Sequence, residues 1–381
     1  MEKLHGKFGN MVLDNFHGIF QDKTVLITGH TGFQGSWLTL WLKLLGSKII
    51  GYSLEPPTKP SLFETLHLED DIVHVIGDIC DAENISNIVA EYKPQIVFHL
   101  AAQSLVQLSY TKPAETFETN VMGTVNILEA IRNVESINAC VIMTSDKCYD
   151  NKEENIAFKE TDPMGGHDPY SASKGATELI TNSYRDSFFN SKNSTKRHIG
   201  IATARAGNVL GGGDWAEDRI IPDCIRSLLA NQRIHVRNPT SIRPWQFVLE
   251  PLSGILWLAA KMYTEHKYDG AWNFGPKLET NSVTVKELVE LVLHEWKSGD
   301  WTSANTSNSN PESHYLKLDS KKAMNQLGWF TIYSINETIS KTMSWYKKFI
   351  ENQNNMQDFT TMQIENYSQQ AKQMNIIWAT N

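Results

Sequence analysis

Short apolar, β-branched runs that alternate with amphipathic helices predict an α/β protein built on a doubly wound parallel sheet. Three observations carry that expectation. Strand-like runs recur at "TVLITG", "SKIIGYS", "VHVIGD", "QIVFHLAA", "NACVIMTS" and "HIGIATARAG". Helical spacing fills most of the intervals, as in "SWLTLWLKLLG", which stops at Gly46 in the position of a C-terminal cap. A glycine cluster, "GHTGFQG", stands between the first strand and the first helix.

In chain order, residues 1–22 read as a polar arm with scattered aromatics, and residues 23–205 carry the alternating unit. Within it, "KPAETFETNVMGTVNILEAIRN" predicts one long helix opened by Pro113, a favoured first helical residue. Phe117, Val121, Thr124, Leu128 and Ile131 then fall on one core-facing stripe. After Ala206 the rhythm breaks and Gly, Pro and Trp become frequent, as in "GNVLGGGDWAEDRIIPD" and "RNPTSIRPWQFVLEPL". Residues 206–350 are therefore expected to form a smaller C-terminal substrate-binding region, partly interleaved with the first. It includes amphipathic helices at "TVKELVELVLHEW" and "INETISKTMSWYKKFI". Residues 351–381, rich in Asn, Gln and Met, read as a loosely held polar tail. There is no internal repeat.

Composition narrows the function. The 381 residues are 41% hydrophobic and 20% charged, with a formal net charge of −8. A nucleic-acid surface would need a basic stripe, and none is present. No apolar run is long enough to span a membrane, and "MEKLHGKFGN" lacks the apolar stretch of a signal peptide. Cys80, Cys140, Cys148 and Cys224 show no zinc spacing, so reduced thiols, a cytoplasmic setting and no metal are expected.

Gly29, Gly32 and Gly35 follow a strand and open a helix, which is the context of a dinucleotide fingerprint. Gly29 permits the tight turn, Gly32 lets backbone amides approach a pyrophosphate, and Gly35 lets helix and strand pack closely. Thr31, Phe33 and Gln34 belong to the same turn. An acid at the end of the second strand would hold the ribose 2′-hydroxyl, but Ser53 stands there, with Glu55 and Lys59 nearby. NAD rather than NADP is the expectation. Asp78 and Ile79 either hold the adenine edge or, for the aspartate, cap a helix.

"YSASK" puts Tyr170 and Lys174 one helical turn apart on one face. A lysine ammonium favours the phenolate form of a neighbouring tyrosine, which then takes a hydroxyl proton as hydride leaves the same carbon. "TSDKCY" adds an acid and a base side by side, Asp146 and Lys147, at the end of a strand where ligands of such sheets bind.

Over residues 23–345 the chain resembles the extended short-chain dehydrogenase/reductases that act on nucleotide-sugars, which have a Rossmann-type sheet. The resemblance rests on the glycine turn, "HLAAQ", "ETNVMGT", the TSD stretch, the Tyr/Lys pair and "RAGNV". More narrowly, "GHTGFQGSW", "SDKCY", "DPYSASK", "RAGNVLGGGDWA" and "IRPWQFVLEPL" are similar to the CDP-glucose 4,6-dehydratases. The resemblance implies a cofactor bed that also includes Leu100, Ala101, Ala102 and Asn120. It implies that Ser145 and Tyr170 flank the sugar 4-hydroxyl, with Lys174 on the nicotinamide ribose. Ser104, Asn208, Arg219 and Arg243 are implied around the nucleotide-sugar. Asp146 is implied as the general acid and Lys147 as the base at C5. It further implies a homodimer joined through the helices around Phe117–Ile131 and Tyr170–Tyr184, and products that feed deoxysugars of surface polysaccharides. A 4-epimerase on the same fold would need no acid/base pair at 146–147. A non-catalytic dinucleotide-binding regulator would need no intact Ser145, Tyr170 and Lys174.

Overall fold

The computed structural model describes residues 13–189, 198–265, 267–278, 282–303 and 313–380. Seven parallel strands form one sheet: β1 (Thr24–Thr28), β2 (Lys48–Ser53), β3 (Val73–Ile76), β4 (Ile96–His99), β5 (Ala139–Met143), β6 (Gly200–Ala206) and β7 (Gly270–Phe274). The helices used below are α1 (Phe33–Leu44), α2 (Ala82–Tyr92), α3 (Gly123–Arg132), α4 (Pro169–Tyr184), α5 (Ile220–Leu229), α6 (Leu249–Thr264), α7 (Val285–Trp296), α8 (Ile335–Glu351) and α9 (Met356–Gln373).

The sheet order is β7-β6-β5-β4-β1-β2-β3. The order reverses between β1 and β4, and loops after adjacent strands diverge there to leave a crevice. β7 comes from the stretch after residue 206, so that stretch supplies a sheet strand as well as the loops beyond it.

Side chains alternate between the two faces, as the period of a strand requires. Val25, Ile27, Phe98 and Val141 enter one apolar cluster with α1 and α6. Leu26, Val97, Cys140 and Ile142 enter the other with α2 and α3. Burial on both faces is why these strands read as nearly continuous apolar runs.

The expected long helix over 113–133 is interrupted. A helical turn, Pro113–Phe117, passes through a π-turn at Glu118–Met122 before α3 begins. The extra residue rotates the stripe. Thr124, Leu128 and Ile131 are buried as expected, but Val121 is only half-buried and Phe117 is 39% exposed. The same π-turn buries Asn120, a placement common at functional sites.

The tail is not loosely held. Residues 356–373 form α9, and Met356, Thr360, Ile364, Tyr367 and Ala371 make a buried stripe along it. Trp378, fully buried, stacks on Phe16 with ring centroids 5.0 Å apart and meets Trp41 at 6.0 Å. The described part of the arm is likewise anchored, with Phe16 and Phe20 buried; residues 1–12 lie outside the described residues. Both ends of the chain therefore seal the outer surface of α1. Glu250 on α6 is buried beneath this seal. Its carboxylate accepts from the amides of Ile332 (3.0 Å) and Tyr333 (2.8 Å) and from the Tyr367 hydroxyl (2.7 Å).

Candidate active site

The glycine turn closes over the crevice. Gly29 has φ +79°, and a Cβ there would lie 2.7 Å from the Ala101 amide nitrogen, so the loops after β1 and β4 touch at the point of reversal. A Cβ on Gly35 would lie 2.1 Å from the Gly29 carbonyl oxygen, which locks α1 onto its strand. A Cβ on Gly32 would meet only that carbonyl, at 3.4 Å, and otherwise points into open space. Gly32 opens α1 without a side-chain cap, leaving first-turn amides for an anion. Gln34 Oε1 is buried there with no hydrogen-bond partner among the described residues. The turn thus fits a dinucleotide pyrophosphate.

Other expected cofactor residues also brace the bed from within the protein. Thr31 donates to the Leu54 carbonyl (2.9 Å) and pairs with Ser53 Oγ (2.8 Å), tying the turn to β2. The ribose position therefore presents a pair of neutral hydroxyls in place of an acid. Asp78 accepts from the Cys80 amide at 2.9 Å, while Asp81 caps α2. Ile79 is buried against Gly123 in the core. The Asn120 side chain accepts from the Gln103 amide and donates to the Gln103 carbonyl and to Ser173 Oγ. It clamps the loop after Leu100, Ala101 and Ala102 to α4.

Ser145, Asp146 and Lys147 follow β5 and line one cleft with Tyr170, Ser104, Asn208, Arg219 and Arg243. Every expected catalytic and substrate residue except Lys174 lines that cleft. Lys174 lies just beneath, 5% exposed, and donates to the Met143 carbonyl at 3.3 Å. Asp168 caps α4 by accepting from the Ser171 amide, which aims Tyr170 and Lys174 at the end of β5.

Ser145 caps a 3₁₀ turn over Asp146–Cys148 by accepting from the Lys147 amide at 3.2 Å. That turn holds Asp146 buried and Lys147 half-buried. Burial pushes the Asp146 carboxyl up, against the pull of Lys147, the Ser145 hydrogen bond and Arg243. Ser145 Oγ donates to Asp146 Oδ1 at 3.1 Å, and Oδ2 is buried without a partner among the described residues. A carboxyl so placed keeps its proton to higher pH, as a general acid needs. Burial also raises the Tyr170 phenol to about 12, opposed by a Ser145 hydrogen bond and the Arg219 cation. Lys174 is lowered by burial to about 8, with Glu178 pulling the other way, so it is still a cation at neutral pH.

Across the cleft, Arg219 pairs with Asp214 at 3.0 Å and donates to Ser104 Oγ at 2.8 Å. Arg243 is buried and donates to the carbonyls of Ile242 (2.9 Å) and His314 (3.2 Å). Asp214 and Glu178 were not singled out from the sequence. Glu178 had a readable sign, since it extends the Tyr170–Lys174 spacing by one more turn. No group of His, Cys, Asp and Glu suited to a metal occurs among the described residues.

A Rossmann sheet, a dinucleotide turn, a Tyr/Lys pair and an acid/base pair on one cleft define an enzyme of the dehydrogenase/dehydratase class. The chain belongs to the GDP-mannose 4,6-dehydratase family, whose model matches residues 26–342. A relative from Salmonella typhimurium strain LT2, CDP-glucose 4,6-dehydratase, is 50% identical over 341 residues, covering 89% of this chain and 94% of its own. A dTDP-glucose 4,6-dehydratase from Xanthomonas campestris is 26% identical over 341 residues, covering 85% and 93%. The fold matches the crystal structure of dTDP-glucose 4,6-dehydratase from Bacillus anthracis in complex with NAD, with TM-score 0.72 and 21% identity over 86% of this chain and 98% of that one. It also matches an epimerase from Methanothermobacter thermautotrophicus, with TM-score 0.75 and 24% identity over 90% and 96%.

Proposed function

We propose that this protein is an NAD-dependent nucleotide-sugar 4,6-dehydratase that converts CDP-glucose to CDP-4-keto-6-deoxyglucose and water. The observation that carries the reading is the pair Asp146–Lys147 on the same wall as Tyr170. A 4-epimerase has no use for such a pair. CDP-glucose follows from the 50% identical relative.

NAD, bound at the Gly29–Gly35 turn, would supply the hydride acceptor for sugar C4 and the hydride donor for C6. Tyr170 accepts the 4-hydroxyl proton. The resulting ketone acidifies the hydrogen on C5, which Lys147 removes. Asp146 gives its proton to the 6-hydroxyl, which departs as water. Lys147 then returns its proton to C5. Tyr170 has gained one proton and Asp146 has lost one. Ser145, hydrogen-bonded to Asp146 and beside Tyr170 in the cleft, offers the path that restores them. Arg219 and Arg243 suit the diphosphate because a planar guanidinium grips phosphate oxygens in pairs.

Incubated with CDP-glucose, the protein is expected to form a 4-keto-6-deoxy sugar, read by mass and NMR. It should do so faster than with dTDP-, GDP- or UDP-glucose. A C4 epimer with no loss of water would overturn the reading.

The exposed side chains of Phe117, Met122 and Leu179, the last 62% exposed, lie on neighbouring helical segments and favour a homodimer through them. Leu179→Glu is expected to halve the mass seen by light scattering; an unchanged mass would place the contact elsewhere. Four unpaired thiols and the absence, among the described residues, of a helix able to cross a membrane suit a cytoplasmic enzyme.

A further inference from the structure

We infer that the buried ion pair Glu178–Arg205, which lies outside the lining of the cleft, is the positioning device for the acid/base arch 145–148. The inference rests on the dehydratase reading above.

Tyr170, Lys174 and Glu178 occupy three successive turns of one face of α4, and all are buried. They meet three successive residues at the end of β5. Ser145 lines the cleft beside Tyr170, the Met143 carbonyl accepts from Lys174, and Thr144 Oγ1 donates to Glu178 Oε1. Glu178 Oε2 accepts from Thr203 Oγ1 (2.7 Å) and from Arg205 Nη2 (2.8 Å), both on β6.

Arg205 then reaches the far foot of the arch. Its Nη1 donates to the Tyr149 hydroxyl at 2.8 Å and to the Glu160 carbonyl at 3.2 Å, and its guanidinium lies 4.9 Å from the Tyr149 ring centroid. Tyr149 in turn donates to Asn273 Oδ1 at 2.7 Å. Thr144 precedes the arch and Tyr149 follows it. One ion pair therefore holds both feet of the segment that carries Ser145, Asp146 and Lys147.

A buried pair adds little net stability over apolar neighbours, but removing one partner is costly. Its value here is geometric: elimination needs the acid and the base set to within a fraction of an ångström. Glu178 has a second effect. Its charge supports the Lys174 ammonium, which also faces Tyr170 on α4, Cys148 on the arch, the neutral His99 at the end of β4, and, through Glu178, Arg205.

The test compares Thr144→Val, Glu178→Gln and wild type on CDP-glucose. Thr144→Val removes one foot and leaves Glu178 its other two donors, so it serves even where Glu178→Gln fails to fold. It is expected to keep KM within about 3-fold and to lower kcat about 10-fold or more. The loss should fall on elimination, so reduced cofactor accumulates at C4 oxidation. Glu178→Gln should in addition move the alkaline limb of the kcat/KM profile to lower pH, because Lys174 loses its supporting charge. If both variants show only a lower melting temperature, with partition and pH profile unchanged, the pair is merely structural and the inference fails. If wild type itself makes no 4-keto-6-deoxy sugar, the functional reading fails instead.

Discussion

Lys147→Met will stop water loss while leaving the first oxidation running. The variant keeps the glycine turn, Tyr170 and Lys174, so it binds cofactor and sugar and oxidises C4. Deprived of a base at C5, it then stalls. Positioned acid or base groups contribute about 10²–10⁴-fold, and a loss of that size in dehydration is expected. Asp146→Asn should stall at the same step because the 6-hydroxyl leaves without a proton. Rapid mixing with CDP-glucose will show reduced cofactor building up in both variants, whereas in wild type it is reoxidised. The pH dependence has a definite sign. Asp146 works in its protonated form, and burial raises its pKa, so dehydration should fall as pH rises through that raised value. Normal turnover by Lys147→Met would remove lysine from the base role.

The second large effect lies far from the cleft. Trp378→Ala should lower stability by about 3–5 kcal/mol, the usual cost of emptying a large aromatic site in a core. Deleting residues after Glu351 should leave no folded protein, because it strips Met356, Ile364, Tyr367 and Trp378 from α1 and α6 at once. It also leaves Glu250 without the Tyr367 hydroxyl. Burial pushes the Glu250 carboxyl up to about 7. The folded form therefore holds this proton more tightly than the unfolded chain. The resulting stabilisation is full below the ordinary carboxylate pKa of about 4.3 and is lost as pH rises through 7, a swing of about 4 kcal/mol. Glu250→Gln should flatten that part of the curve of melting temperature against pH. A truncated chain that melts where the full chain melts would show the seal to be dispensable.

Much of this was legible in the primary structure, and the failures have physical causes. β-branched runs on both faces and a glycine turn between strand and helix left little freedom for the first 205 residues. The cleft was legible because "TSDKCY" and "YSASK" end up on facing elements. The tail was misread because its stripe is built partly from Thr360 and Ala371, which carry little hydrophobic signal among Asn and Gln. The helix at Phe117 was misread because a π-turn leaves no mark in apolar spacing. The bracing of the expected cofactor bed by the side chains of Asn120, Thr31 and Ile79 had no sequence sign, because each partner lies on another loop or helix. Glu178 was overlooked because a buried carboxylate looks like a surface one until its partners on another strand are seen.

The stacking of Phe16 on Trp378 has a bearing on how the chain is made. His17 and Ile377, whose hydrogen bond joins the same two segments, are 360 positions apart. At a ribosomal rate of about 5–20 residues per second, that interval lasts about 20–70 s. For that time the outer surface of α1, including Trp41, has no lasting cover. The nascent sheet must wait for the final turns of α9 and the residues after it. A chaperone that shields exposed aromatics would find its client in this interval, and stalled translation downstream of α8 would release an aggregating species rather than a slow enzyme.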